Sequence, residues 1–368
     1  MKINNIIKPI DDIVAAGIEA RVFAGATAGV SGWESEAKWR LVRSAGTTQY
    51  EGGSAVDAQT VFDLASLTKP LATTLLALAL IKSGKLHLEQ SLAGLLPEAP
   101  PDKKTLTIRQ LLSHSSGLPA HRPYHLLLAD RPQGERAAFL RQMIMAEPLE
   151  YLPGGRSLYS DLGFILLGMI VEQVAGQSLA RCFTERIAVP LSLENELFFN
   201  QHGKIREKNY AATEFCPWRG RVLRGEVSDE NCYALGGAAG HAGLFGTIGG
   251  VLTLVEAIRD SWLGRALVPA LDSDLLRIFL ARQPIPGSTW ALGFDTPSRE
   301  NSSAGRYFSS TSVGHLGFTG TSFWIDPKCR LCVVLLTNRV HPSRENNGIK
   351  SFRPRFHDAV IKGLGILP

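Results

Sequence analysis

The hydrophobic pattern divides the chain into a mixed start, a helical middle and a strand-rich end. Apolar residues recur at helical spacing between positions 10 and 18, which predicts an amphipathic first helix. Two β-type runs follow at 23–32 and 39–46. A polar turn around Ser35 separates them, so together they predict a hairpin.

The middle of the chain reads as helices joined by loops. Helices are predicted after the cap residue Thr107, over 135–147, from Tyr159-Ser160-Asp161 into 162–176, near 248–262 and over 273–282. Between 191 and 231 the sequence is polar and irregular. The end of the chain has β-type runs at 312–318, 321–327 and 330–338, and a last helix over 353–365.

Strands at both ends and helices between them predict an α/β (α+β) fold. Its simplest form is one antiparallel sheet assembled from both termini and flanked by helices. Residues 1–75 and 235–368 would form the sheet domain, and 76–234 would form an inserted, mostly helical domain. A cleft between the two parts would have Ser66 at its floor.

The most apolar predicted helix opens directly behind Ser66-Leu67-Thr68-Lys69. Residues three apart share a helix face, so the Ser66 hydroxyl and the Lys69 amine can lie within hydrogen-bond distance, as a nucleophile beside a base. Burial of this helix is expected to lower the pKa of Lys69 and so free it to accept a proton. The Ser66 N–H, in the first turn, is suited to hold an oxyanion. Pro70 fits the start of this helix and Gly84 its end.

A second Ser-x-x-Lys pattern, at Ser35 and Lys38, provides an internal comparison. It lies in a polar run between two predicted strands and is typical of a hairpin turn. The spacing by itself is common on solvated helix faces, so the apolar context of Ser66 decides between the two.

Composition and charge exclude several classes of function. The chain has 39 basic and 34 acidic residues, and this net charge of +5 is too small and scattered to indicate nucleic-acid binding. The basic C-terminal region leaves two alternatives, an affinity for anionic substrates or a solvated face; it comprises Arg339, Arg344, Lys350, Arg353 and Arg355. Five cysteines without metal-ligand spacing predict free thiols.

No targeting segment or membrane span is predicted. The N-terminal residues lack the apolar stretch and cleavage site of a signal peptide, and the apolar run at 70–81 is too short to span a bilayer. We therefore expect a cytoplasmic protein without membrane contact, or a periplasmic one if a leader has been removed.

Neither a metal site nor a phosphate-binding loop is expected. His121 and His125 have a metal-like spacing, but Pro123 between them argues against a shared helix face. The glycine-rich stretch 236–246 lacks the residues of a phosphate-binding fingerprint, so its glycines indicate close backbone packing.

Three separated motifs resemble those of the serine β-lactamase and penicillin-binding superfamily. They are Ser66-Leu67-Thr68-Lys69, Tyr159-Ser160-Asp161 and His315-Leu316-Gly317, and they occur in the family's order. The match is closest to the class C β-lactamase branch, whose motifs are Ser-x-x-Lys, Tyr-x-Asn and Lys-Thr-Gly. The flanking segments FDLASLTK, LLSHSSGLP, PGGRSLYSDLGFILLG, AGHAGLFGT and GHLGFTGTSFWIDP resemble the family too, so the similarity covers nearly the whole chain.

The resemblance implies a role for each motif residue. Ser66 would be the acylated nucleophile, Lys69 its activating partner and Tyr159 the second proton-transfer group. Tyr159 could act as a base near neutral pH only if a cation, Lys69 above all, lowers its pKa. The Phe318 N–H would complete the oxyanion hole with that of Ser66.

The sequence departs from the family pattern at two substrate-binding positions. Asp161 stands where the family usually has asparagine, and His315 stands where it usually has lysine, two residues before Gly317. A histidine with its ordinary pKa of about 6.5 would gain its charge as the pH falls, so recognition of anionic substrates is expected to depend on pH. His-x-Gly resembles the third motif of D-aminopeptidases and esterase-like members.

The expected function is a serine hydrolase that forms an acyl-enzyme on Ser66. Its substrate would be a small ester, a D-amino-acid peptide or, weakly, a β-lactam, and no cofactor is implied. The alternative is a catalytically inactive member that binds peptidoglycan fragments. The sequence carries no indication of the oligomeric state.

Overall fold

The computed structural model describes residues 3–202, 206–265 and 268–366. Its α-helices are α1 (Asn4–Glu19), α2 (Leu75–Lys82), α3 (Leu92–Leu95), α4 (Ile108–Leu112), α5 (His125–Leu128), α6 (Gln133–Ala146), α7 (Asp161–Ala175), α8 (Leu179–Phe183), α9 (Glu230–Ala234), α10 (Ile248–Trp262), α11 (Ser273–Phe279) and α12 (Ile349–Gly363). Short 3₁₀ and π-helical segments lie at Ala65–Leu67, Lys69–Thr74, Thr184–Ala188 and Val189–Leu191.

The strands form one large and two small antiparallel sheets. They are β1 (Gly25–Glu34), β2 (Ala37–Gly46), β3 (Phe62–Asp63), β4 (Leu197–Phe199), β5 (Phe215–Cys216), β6 (Arg221–Val222), β7 (Leu244–Gly246), β8 (Val313–Leu316), β9 (Ser322–Asp326) and β10 (Leu331–Thr337). The large sheet has the order β2-β1-β10-β9-β8, so it combines strands from both ends of the chain, as predicted. The predicted hairpin is β1–β2, and Ser35 lies in its turn.

Helices cover both faces of the large sheet. Successive side chains of β10 point to opposite faces, and each set enters a separate core. Leu331, Val333 and Leu335 join the core formed with α1 and α12. Cys332, Val334 and Leu336 join the larger core, to which α10 contributes. This two-sided burial explains the uninterrupted apolar run at the end of the sequence.

The helix behind Ser66 is irregular at its start. A 3₁₀ turn at Ala65–Leu67 is followed by the π-helical segment Lys69–Thr74 and then by α2, where a regular α-helix was expected. Pro70 has no N–H to donate to a regular first turn. The run Ala65–Lys82 meets the length and hydropathy criteria for a membrane span, but 83% of it is buried inside the fold, as in a core helix.

The glycine-rich stretch 236–246 packs backbone against backbone, as the sequence analysis predicted. A Cβ atom on Gly168 of α7 would lie 2.7 Å from the Gly240 Cα atom, so neither position has room for a side chain. The Thr73 hydroxyl donates a 2.7 Å hydrogen bond to the Gly240 carbonyl. These contacts hold the helix of Ser66, α7 and the glycine-rich stretch together.

Most predicted elements are present, and several short elements occur that were not expected. Helix α5 lies between the helices predicted after Thr107 and over 135–147, where a joining loop was expected. The strands β3, β4 and β7 form a small sheet that was not expected, because two or three residues are too few to show a periodic pattern. The division into domains at 75 and 235 stays a prediction.

Candidate active site

Ser66 lies in a strained turn on the wall of a cavity of about 640 Å³. The preceding residue, Ala65, has a φ of +47°, in the left-handed region that residues other than glycine seldom adopt. The Asp63 carboxyl accepts hydrogen bonds from the Ala65 N–H at 2.8 Å and from the Ser228 N–H at 2.7 Å. Burial raises the pKa of Asp63 to about 7. Asp63 therefore fixes the turn that presents Ser66.

Lys69 is fully buried beneath Ser66, with an exposed fraction of 0%. Its Nζ atom donates hydrogen bonds to the Ser66 Oγ at 3.0 Å and to the His241 carbonyl at 3.1 Å. The same Nζ atom lies 2.7 Å from the Asp161 Oδ1. The structure thus brings the nucleophile Ser66, the amine of Lys69 and the carboxylate of Asp161 together. The contact between Ser66 and Lys69 was predicted from their spacing.

The expected lowering of the Lys69 pKa is wrong. Burial alone would lower the pKa of Lys69. The contacts with the Asp161 carboxylate and with the Tyr159 side chain together outweigh burial and raise this pKa above its ordinary value. Lys69 is therefore an ammonium ion at neutral pH. The prediction took account of the burial of the helix but not of the effect of the Asp161 carboxylate, at the start of α7, on the Lys69 pKa.

Tyr159 packs directly against this amine. Its ring centroid lies 4.8 Å from the Lys69 Nζ and 5.4 Å from the ring of Trp290. Burial raises the pKa of Tyr159 and Asp161 adds to that effect, so Lys69 does not make the phenol acidic as expected. Tyr159 is a neutral phenol that can donate a proton.

His114 holds the Tyr159 motif in place, a role that the sequence analysis missed. Its Nδ1 accepts a 3.0 Å hydrogen bond from the Ser160 N–H, and its carbonyl accepts one from the Leu158 N–H at 2.9 Å. Its ring stacks on Tyr159 with centroids 4.6 Å apart. The Ser160 hydroxyl then caps α7 by accepting from the Gly163 N–H. The sequence feature that could have indicated this role is a histidine among small polar residues, in the segment LLSHSSGLP.

Asp161 lines the cavity and in addition pairs with Lys69, and its predicted role in substrate binding stays a prediction. It begins α7, and its two oxygens face Lys69 at 2.7 Å and the His121 Nδ1 at 3.6 Å. Lys69 holds the pKa of this carboxyl well below its usual range, despite the opposing effect of burial. Asp161, in turn, raises the pKa of His121. Asp161 is therefore a constant negative charge beside the nucleophile.

His315 lies in the cavity wall with an exposed fraction of 2%. Its Nδ1 lies 2.8 Å from the Leu316 carbonyl, which can only accept, so Nδ1 carries the proton. Within the described part of the chain, the buried Nε2 has no hydrogen-bond partner and is free to accept one from a bound molecule. Burial and the charge of Lys69 lower the pKa of His315 to about 3. The expected gain of charge near pH 6.5 is therefore wrong.

The turn after β8 is bonded to the residues just before Ser66. Thr319 donates a 2.7 Å hydrogen bond to the Asp63 carbonyl, and Thr321 donates one to the Leu64 carbonyl. These bonds bring Gly317 and Phe318 to the cavity that Ser66 lines. Across the described ranges, the Phe318 N–H has no acceptor, so the predicted oxyanion donor is available.

The two histidines with metal-like spacing point to different partners. His121 faces Asp161, whereas the His125 ring packs on Trp218 with centroids 4.8 Å apart. No group of three or more metal-ligating side chains occurs among the residues that the structure describes.

The cavity also has a basic wall, which includes Arg339, Arg344 and Arg353. The local positive charge of this region was recognised from the sequence, but its place in the cavity was not.

The chain is similar to known proteins in its family pattern, in its sequence and in its structure. The family model described as Beta-lactamase matches residues 10–351. A putative D-alanyl-D-alanine carboxypeptidase of Escherichia coli strain K12 is 34% identical over an alignment of 308 positions, which covers 77% of this chain and 70% of that protein. Two solved structures share the fold. EstCE1, a hydrolase with promiscuous acyltransferase activity, has a TM-score of 0.74 at 23% identity, and the superposition covers 97% of this chain and 98% of the EstCE1 chain. The octameric penicillin-binding protein homologue from Pyrococcus abyssi has a TM-score of 0.73 at 18% identity, and the superposition covers 98% of this chain and 79% of the Pyrococcus chain.

Replacing Asp161 by asparagine should move the pH dependence of ester hydrolysis to lower pH. The carboxylate raises the pKa of Lys69, so the neutral amine that can accept the Ser66 proton becomes abundant only at high pH. Asp161→Asn removes that charge, and the rising limb of kcat/KM against pH should then lie at lower pH. Glu230→Gln, which changes a carboxylate of the cavity wall paired with Arg344, is the control and should leave the limb in place. An unshifted profile in Asp161→Asn would show that Lys69 is not the base.

Acylation by an anionic β-lactam should be insensitive to the pH range in which histidine normally titrates. With the pKa of His315 at about 3, the acylation rate of the His121→Gln variant for a carboxylate-bearing cephalosporin, divided by that for a neutral ester, should be flat between about pH 5.5 and 7.5. His315→Lys should raise this ratio about tenfold, the scale of a hydrogen bond to a charged group.

Measurements of this ratio need a background without a second titrating histidine. His121 lines the same cavity and its pKa is raised, so the ratio is to be compared in the His121→Gln variant. A ratio that rises as the pH falls even in His121→Gln would mean that His315 gains its charge within this range.

Proposed function

This chain belongs to the beta-lactamase family of serine hydrolases, and on that basis we propose that it cleaves small esters or amides through an acyl-enzyme on Ser66. The observation that carries the proposal is the 3.0 Å hydrogen bond from the buried Lys69 Nζ to the Ser66 Oγ on the wall of a cavity. A hydroxyl held against an amine in a site that admits a small molecule is the arrangement that nucleophilic catalysis requires.

The reaction has two halves. The Ser66 Oγ attacks the substrate carbonyl carbon while its proton passes to the neutral form of Lys69, and the carbonyl electron pair moves to the oxygen. The N–H groups of Ser66 and Phe318 would hold that oxyanion. Collapse of the intermediate expels the leaving group, and water then hydrolyses the acyl-enzyme.

Tyr159 is placed to serve the leaving group. Its raised pKa keeps it a phenol, so it can give its proton to the departing oxygen or nitrogen and recover it in the second half of the reaction. Lys69, whose pKa is raised as well, acts as the base only in its deprotonated fraction.

The charges around Ser66 favour uncharged reacting groups. His315 is neutral, and the Asp161 carboxylate lies between Lys69 and the cavity. A substrate with a carboxylate close to its scissile bond therefore meets no positive charge from the third motif and a negative one from the second. Small esters and amides are favoured over β-lactams on this ground.

A second candidate is a carboxypeptidase that removes a terminal D-amino acid. The E. coli relative carries that name as a putative activity. The basic wall supports this candidate, because Lys350 lines the cavity and could receive a terminal carboxylate. Arg344 on the same wall is already paired with Glu214 and Glu230. The cytoplasmic location expected from the N-terminal residues also remains a proposal.

A fluorophosphonate probe should label Ser66 and not Ser35. Both serines stand three residues before a lysine, but only Ser66 contacts its lysine in a cavity. Peptide mass spectrometry should find the adduct on the Ser66 peptide. Ser66→Ala should abolish labelling, whereas Ser35→Ala should leave it intact. An adduct on Ser35, or none at all, would contradict the proposal, and the second outcome would favour a binding protein.

A substrate panel should separate the two candidates. Neutral p-nitrophenyl esters should be hydrolysed with a kcat/KM at least about tenfold above that for a D-alanyl-D-alanine peptide, since a like-charge contact costs several kcal/mol and about 1.4 kcal/mol is already a factor of ten. The same peptide with its terminus amidated tests whether the basic wall binds a carboxylate. A preference for the free peptide over the ester would establish the carboxypeptidase.

A further inference from the structure

A buried arginine from the last helix contacts the strand end that borders Ser66. Arg353 on α12 has an exposed fraction of 6%. Its Nη2 donates hydrogen bonds to the Gly317 carbonyl at 2.6 Å and to the Thr321 carbonyl at 2.9 Å. Both carbonyls belong to the turn between β8 and β9.

The Gly317 carbonyl and the Phe318 N–H belong to the same peptide unit. In a planar trans peptide the C=O and N–H bonds point in opposite directions. A guanidinium that binds the Gly317 oxygen therefore directs the Phe318 N–H away from α12. Phe318 and Ser66 line the same cavity. We infer that Arg353 is a positioning residue that orients the Phe318 N–H for the oxyanion hole. This inference rests on the proposed acyl-enzyme on Ser66.

The next peptide unit is held in the same manner. The Arg339 Nε donates a 2.7 Å hydrogen bond to the Phe318 carbonyl, and its guanidinium lies 4.5 Å from the centroid of the Phe318 ring. The Gly317 N–H donates to the Thr321 carbonyl at 2.7 Å. The Gly317 N–H and the Gly317 and Phe318 carbonyls are thus engaged, whereas the Phe318 N–H has no acceptor among the described residues.

Arg353 is an expensive residue to bury for packing alone. No carboxylate among the described residues lies within ion-pair distance of it, and its Nε has no partner there. Burial lowers the pKa of Arg353 to about 9, which still leaves it charged at neutral pH. Its neighbours Phe352 and Phe356 are apolar core residues, so an apolar side chain would fill the space at lower cost.

The charge has a further effect on the peptide unit that it contacts. A cation on the carbonyl oxygen draws electron density from the amide, which makes the N–H a stronger donor. When the bond from the Ser66 Oγ to the substrate carbon forms, the carbonyl electron pair moves to the oxygen. A donor that is already oriented stabilises this charge without reorganisation.

The test compares Arg353→Met and Arg353→Lys with Arg355→Met, a control on the same helix whose arginine is exposed and bonds only to the Ser351 carbonyl. The readouts are kcat and KM for a neutral p-nitrophenyl ester and the inhibition constant of phenylboronic acid. Boronic acids form a tetrahedral adduct with a serine oxygen and therefore report on the oxyanion hole. Thermal unfolding identifies variants that do not fold.

Arg353→Met should lower kcat at least about tenfold and at most about 10³-fold, because removal of an oxyanion donor outright costs about 10²–10³. KM should change less than about threefold, and the affinity for phenylboronic acid should fall in parallel with kcat/KM. Arg353→Lys keeps the charge but has a simpler donor, so its kcat should lie between those of the wild type and Arg353→Met. Arg355→Met should match the wild type.

Two results would overturn the inference. A folded Arg353→Met protein with wild-type kcat and boronate affinity would show that Arg353 only supports the fold, and a raised KM with unchanged kcat would make it a substrate contact. If Arg353→Met does not fold, Arg353→Lys is judged by the same two criteria. Failure of the wild-type protein to label at Ser66 would contradict the proposed function itself, and it is measured separately.

Discussion

The contact of the buried Lys69 ammonium with the Asp161 carboxylate is the interaction on which the rest of the site depends. Neither charge could be buried alone, because an unpaired ion in a protein interior costs several kcal/mol. The pair joins the helix of Ser66 to α7, which come from separate parts of the sequence. The Asp161 charge keeps Lys69 protonated, and burial together with Asp161 keeps Tyr159 a phenol at rest.

Four parts of the fold surround this ion pair and hold the residues of the site. The glycine-rich stretch allows α7 to approach closely, since Gly168 and Gly240 are in backbone contact. His114 anchors the start of α7, and the turn after β8 is bonded to the residues before Ser66. Helix α12 adds the buried guanidinium of Arg353. Long-range contacts rather than local sequence therefore define the active-site geometry.

The departures from the family motifs determine the electrostatics of the site. A carboxylate at Asp161 converts the Lys69 amine into one half of an ion pair. A histidine at 315 is neutral because it is buried beside that same cation, so the third motif loses its positive charge. Both changes reduce the positive charge that the motifs present to a substrate. The fold and the hydrolase class are shared with relatives.

The amino-acid sequence by itself determined the fold class, the order of the elements and the three motifs. The antiparallel sheet from both termini and the helix at 248–262 follow from periodicity, which depends on neighbouring residues only. The pKa values of Lys69, Tyr159 and His315 were predicted wrongly, because each is decided by burial and by a charge from a distant segment. The positions of His114 and Arg353 were not predicted at all. Only the tertiary structure brings such side chains to the motifs, since hydrogen bonds and Coulomb interactions depend on distance in space and leave no periodic trace in the sequence.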